Sequence, residues 1–222
     1  MKHRVPQLVC LMICLLCLVC GGAHAGSYDD FFIAIRHDQA YTIRSLLQRG
    51  FDPNTLNPDK EYGLILALRA NALQAVAALL ESPATRVEVR TAQDESPLML
   101  AALKGHTALC RQLMARDADV NKPGWTPLHY AATGGHVEIV QLLLDNDAYI
   151  DAESPNGTTP LMMAARYGNP ETVSALLQAD ADPSLANALG QSALDFARRA
   201  DHEKSVELIA AALRAQRPSG GW

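Results

Sequence analysis

The stretch Thr126–His136, TPLHYAATGGH, decides how this chain is read. It gathers a hydroxyl, two imidazoles, a phenol and a glycine pair, which could serve chemistry or could be one copy of a building block. A building block recurs along the chain at a fixed period, and a reaction centre does not. With Leu128 as reference, equivalents stand at Phe31, Leu64, Leu98, Leu161 and Leu194, and successive spacings are 33, 34, 30, 33 and 33 residues. Three positions later every unit has alanine, at Ala34, Ala67, Ala101, Ala131, Ala164 and Ala197. Twelve positions later come Ile43, Val76, Cys110, Val140, Val173 and Val206, followed by apolar pairs from Leu46-Leu47 to Ile209-Ala210. Four aligned columns over six units make this a repeat protein.

The columns also dictate local structure. Apolar positions three and four apart, in two short runs divided near a glycine, predict two antiparallel helices per unit, each burying one stripe. Ser96-Pro97, Thr126-Pro127 and Thr159-Pro160 place a capping hydroxyl before a proline that needs no amide partner, and each such hydroxyl is worth about 1 kcal/mol. The alanine column marks the closest approach of paired helices, where a larger side chain overpacks by about 1 to 3 kcal/mol. Second helices end where the chain reverses, at Gly50, Asp117, Asp147 and Asp180, residue types that tolerate a left-handed backbone.

On these residues the chain resembles an ankyrin-repeat protein. GWTPLHYAATGGHVEIVQLLLDNDAYID follows the family pattern along its length, and GTTPLMMAARYGNPETVSALLQADADPS does so nearly as well. The resemblance implies an all-α solenoid of about six helix-turn-helix units linked by short β-hairpin-like finger loops, with weaker terminal repeats that cap the stack. Residues 26–215 form the repeat domain on this reading, and 216–222 a flexible tail ending at Trp222. Two departures stand out. The link before Leu128 is about three residues short, with NKPGW in place of a finger, and Pro83 stands where the second unit would have its turn glycine. A blunted finger and an altered turn are expected there, and NKPGW is the expected point of division of the stack.

The chemically tempting residues read as structure. The resemblance gives His129, His106 and His136 hydrogen-bonding duties within and between repeats, and no Cys/His cluster has metal spacing, so no metal and no cofactor are expected. Cys110 sits in a column of valine and isoleucine and reads as a buried inert thiol. There is no serine in a strained glycine turn and no phosphate-cradling glycine loop, while Asp29-Asp30 and Asp94-Glu95 fall in loops or at helix starts, where negative charge suits the helix dipole. No enzyme is expected; a hydrolase centred on His129 is the remote alternative.

In ankyrin-repeat proteins the finger tips and the inner face of the first helices form a concave partner-binding surface, so residues there that the repeat does not need carry function. Five positions after the reference stand Arg36, Arg69, Leu103, Thr133, Arg166 and Arg199, with Lys104 and Tyr167 one position further on and Trp125 in the shortened loop. Arg36, Arg69, Lys104, Trp125, Arg166, Tyr167 and Arg199 are therefore the candidate partner contacts, arginine and the large aromatics being the types enriched at binding hot spots. Arginine at that position also serves solubility, and Trp125 could instead fold back over its proline.

The first 25 residues read as a secretory signal: Lys2, His3 and Arg4, an apolar run from Leu8 to Cys20, then Ala23-His24-Ala25 as the cleavage site. An uncleaved membrane anchor is the alternative, although the apolar run is short for a span. Cleavage would remove Lys2 and Arg4 and no acid, taking the formal charge from -5 to -7 and disfavouring nucleic acid and anionic membranes. It would also remove Cys10, Cys14, Cys17 and Cys20, leaving Cys110 with no partner for an intrachain disulfide. The expected protein is a monomeric bacterial periplasmic module that binds a protein carrying an acidic patch. Its role would be to neutralise a toxin or effector, as an immunity protein does, or to protect an exported enzyme such as a catalase.

Overall fold

A computed structural model describes residues 26–167 and 169–216, and each repeat in it is a helix-turn-helix. The expected secretory signal and residues 217–222 of the expected tail, with Trp222, lie outside the described residues, while Gln216 is the last residue of a helix. In chain order the units contribute α1 (26–36) and α2 (Ala40–Gln48), α3 (Gly63–Ala70) and α4 (Leu73–Leu80), and α5 (Pro97–Leu103) and α6 (Thr107–Met114). They continue with α7 (Pro127–Gly134) and α8 (Val137–Leu144), α9 (Pro160–Tyr167) and α10 (Pro170–Gln178), and α11 (Ala193–Arg199) and α12 (Glu203–Gln216). There is no strand among the described residues; isolated bridges pair Leu56 with Tyr62 and Ala186 with Ser192. The architecture is all-helical. No described helix is long and apolar enough to cross a membrane.

The chain forms two compact units, one ending at Arg86 and the other beginning at Val87. In the first, α4 packs against both α2 and α3. In the second, α5, α7, α9 and α11 lie side by side as one row, and α6, α8, α10 and α12 as another. The division thus falls after Pro83, and NKPGW lies inside the second unit. The reason is local: Lys122 of that short link pairs with Asp94 at 2.5 Å, and Asn121 donates to the carbonyl of Asp147 and accepts from the amide of Tyr149. Those contacts stitch the link to the preceding and following repeats.

Packing explains the columns. All six alanines of the column three after the reference are completely buried, because a methyl is all that the close approach of neighbouring helices admits. Cys110 is as buried as the valines and isoleucine that share its column in the inner repeats. In the final unit Leu194 and Val206 are only half-buried, since no further helix pair follows among the described residues.

Caps and turns set the ends. Ser96 Oγ accepts from the Met99 amide at 3.2 Å, Thr159 Oγ1 from Met162 at 3.4 Å, and Ser192 Oγ from Asp195 at 3.4 Å. Asp195 closes the box by accepting from the Ser192 amide at 2.8 Å. Gly50, Asp117, Asp147 and Asp180 all have φ between 62° and 88°, the left-handed backbone expected at the end of each second helix.

The fingers share one construction. In 57–61, 91–95, 154–158 and 187–191 the first residue donates its amide to the carbonyl of the fifth at 3.0 Å, and the fourth donates back to the first at 2.8 to 3.0 Å. The first side chain, from Asn57, Thr91, Ser154 or Asn187, accepts from the amide of the fifth. The fourth residue always has positive φ, and in the last two fingers it is glycine. The tips between are held by backbone and by their own first residue.

Candidate functional site

The residues that looked most catalytic are buried and satisfied. The Nε2–H of His129 donates to the carbonyl of Thr158 at 2.8 Å, and its Nδ1 accepts from the amide and hydroxyl of Thr126. The Thr126 hydroxyl thus bonds the side chain three residues on, as the Ser192 hydroxyl does with Asp195. Burial holds His129 neutral, its pKa pushed down to about 4. His136 Nε2 donates to the carbonyl of Leu103 at 3.0 Å, tying one repeat to the one before. Burial likewise drives the Cys110 thiol up to about 12, so it carries no thiolate. No group of histidines, cysteines and carboxylates among the described residues could hold a metal ion.

The candidate partner contacts divide between the two compact units. Arg36 and Arg69 belong to the first and are exposed, and Arg69 pairs with Glu61 of its own finger. Lys104, Trp125, Arg166, Tyr167 and Arg199 belong to the second. Lys104 is the exposed C-cap of α5. Arg199 is exposed, and its guanidinium donates to the Gln191 side-chain oxygen. Trp125 is half-buried and sets the edge of its ring against the His129 ring, centroids 5.2 Å apart, while its carbonyl accepts from Lys122.

Three of these residues converge. Trp125, Arg166 and Tyr167 line one depression of about 290 Å³, with Met163, Leu189 and Phe196 and the polar residues Asn156, Thr158, Asn187 and Gln191. A second depression of about 380 Å³ is lined by Arg166, Phe196, Arg199 and Ala200. Arg166 and Phe196 belong to both. The Arg166 guanidinium carbon lies 5.9 Å from the ring centroids of Tyr167 and Phe196 alike. No carboxylate lines either depression, Leu189 is 75% exposed and Tyr167 54%. Lys104 lines neither.

Met163, Phe196 and Leu189 escaped the sequence reading. Met163 and Phe196 stand two positions after the reference leucine, one helical turn before Arg166 and Arg199, so the two columns share a face. Leu189 gives a different signal, a bulky apolar residue at a finger tip where the turn has no use for one.

The pattern described as "Ankyrin repeats (3 copies)" matches residues 31–123, 84–154 and 146–216. The chain belongs to the ankyrin-repeat family. Ankyrin repeats are protein–protein interaction modules, and the fold is typically non-catalytic. An ankyrin repeat domain from Acinetobacter baumannii AYE superposes with a TM-score of 0.70 at 27% identity, over 82% of this chain and 96% of that one. The human ASB11 ankyrin repeat domain superposes at 0.73 over 82% of each chain, and at 24% identity it shares the fold. Among relatives by sequence, ankyrin repeat and SAM domain-containing protein 6 of Mus musculus is 32% identical over 109 residues, 47% of this chain and 12% of that protein. The 2-5A-dependent ribonuclease of Mus musculus is 36% identical over 80 residues, 34% of this chain and 11% of its own length. The chain thus spans about an eighth of these two relatives.

Proposed function

We propose that the chain is a monomeric, non-catalytic module of the bacterial periplasm that binds a partner protein through an acidic patch on that partner. The observation that supports this most directly is the convergence of Trp125, Arg166 and Tyr167 with exposed Leu189 in a depression without carboxylates, on a chain of net charge -5. Repeat packing has no need of those side chains at those places, and arginine beside aromatic surface is what interface anchors are made of. The shallow, open form suits a protein surface better than an enclosed small ligand. Export is favoured by the basic start, apolar run and Ala23-His24-Ala25, and the negative charge argues against nucleic acid.

The test is affinity capture from periplasmic extract with the mature chain beside an Arg166→Glu/Leu189→Ser variant whose helical circular dichroism is unchanged. A protein retained by the first bait alone supports both the role and its place; equal retention moves the interface elsewhere. Once purified, the partner separates the two biological roles: a toxin or effector loses activity on mixing, whereas an exported enzyme such as a catalase keeps its activity longer. Fractionation of the cells with N-terminal sequencing tests export, and a mature protein that does not begin at Gly26 would exclude cleavage after Ala25.

A further inference from the structure

We propose that the two depressions joined at Arg166 and Phe196 recognise a linear partner segment carrying an aspartate or glutamate two residues from a leucine, phenylalanine or tryptophan. This rests on the reading that the depressions receive a protein, and it names the feature they select.

The charges of the second unit point to the carboxylate. The ion-paired cations of this unit include Arg90 with Glu88 and Asp119, Arg111 with Glu138, Lys122 with Asp94 and Lys204 with Glu207. Arg166 has no carboxylate partner among the described residues; its neighbours are the Tyr167 and Phe196 rings. A guanidinium held over a ring is fixed in place and keeps its planar fork of donors for a carboxylate. Arg199, on the other side of the second depression, donates to the neutral amide of Gln191 and has no carboxylate within salt-bridge distance among the described residues, the Asp195 carboxylate acting on it only through space. A single carboxylate entering between Arg166 and Arg199 would meet two cations, in a chain whose overall negative charge repels polyanions.

The first depression supplies the apolar half. Trp125, Met163, Leu189 and Phe196 offer apolar surface, and Leu189 exposes three-quarters of itself to water until something covers it. The same Arg166 and Phe196 wall bounds both depressions, so the two anchors enter adjoining spaces. In an extended segment the nearest residues that project to the same side are i and i+2, about 7 Å apart, and these are the pair we assign to adjoining depressions.

Short random linear peptides displayed on phage are selected against the full chain. Enriched sequences are expected to carry the acid and the apolar residue two positions apart, and synthetic copies to lose about tenfold in affinity when the acid becomes its amide or when the protein carries Arg166→Gln. Making both changes together should cost little more than either alone. Leu189→Ser should weaken peptides through the apolar residue, with no change in their salt dependence. Enrichment without the acidic residue, equal binding by Arg166→Gln, or tighter binding of a phosphoserine replacement would each overturn the proposal. If periplasmic capture still retains a partner through Arg166 and Leu189 while the peptides fail, the module stands and this recognition rule falls; capture that ignores both residues removes the site itself.

Discussion

The ring of His129 joins the carbonyl of Thr158, 2.8 Å from Nε2, to the amide of Thr126, 3.2 Å from Nδ1, so a neutral imidazole fastens the start of α7 to the finger that precedes α9. One nitrogen must donate and the other accept, which the protonated ring cannot do. The folded pKa of about 4 lies below the ordinary 6.5, so this contribution is complete above pH 6.5 and is lost as the pH falls toward 4. Between pH 7 and pH 5 the protein should lose about 2 kcal/mol more than a His129→Gln variant in urea unfolding. Parallel losses in the two proteins would show that the ring takes its proton without cost.

Ala164 has no exposed surface and sits where α9 meets its neighbours. Enlarging it in Ala164→Leu should destabilise the fold by about 1 to 3 kcal/mol, although leucine is an excellent helix former. A shift of the urea midpoint to lower concentration is the expected reading, and an unchanged midpoint would contradict close packing at that column.

Gly134 is the last residue of α7, where alanine would ordinarily gain up to about 1 kcal/mol. Here an added methyl would lie 2.6 Å from the carbonyl oxygen of Leu103 and 2.5 Å from the His136 ring. It would have to displace the imidazole that bonds to Leu103. Gly134→Ala should therefore lower the melting temperature, and a rise would mean that the ring and carbonyl can give way freely.

The Cys110 thiol is buried, and its pKa of about 12 leaves essentially no thiolate at neutral pH. A maleimide should label the chain from Gly26 onward only as fast as it opens, and at once in urea. Mass spectrometry at timed intervals reads both rates; rapid labelling of the folded protein would show that α6 opens locally.

What the sequence could disclose depended on repetition. The alanine column and the end-of-helix positions Asp117, Asp147 and Asp180 were legible because a structural demand recurs from unit to unit, whereas His129 has no counterpart in the other units and its satisfied role came from the family resemblance. The site was legible only in part, since it arises from what differs between units. Arg36, Arg69, Arg166 and Arg199 occupy one column yet meet different surroundings: Glu61 for Arg69, two rings for Arg166, and Gln191 for Arg199. Those surroundings come from finger residues and from the apolar column one turn away, which a periodicity argument counts as core. Phe196 was hidden for that reason, although it forms the wall of both depressions. The division after Arg86 was equally hidden, because the contacts of Lys122 and Asn121 that hold the shorter link together are not periodic.

The finger that carries Leu189 is closed by the Asn187 and Gln191 backbones and by the Asn187 side chain, none of which involves the leucine side chain. Its identity is consequently free of the constraints that govern the alanine and valine columns. A lineage could exchange Leu189 for almost any other residue and keep a folded protein at every step. The scaffold thus offers selection an interchangeable fingertip, and relatives that keep the repeats intact can acquire new partners one substitution at a time.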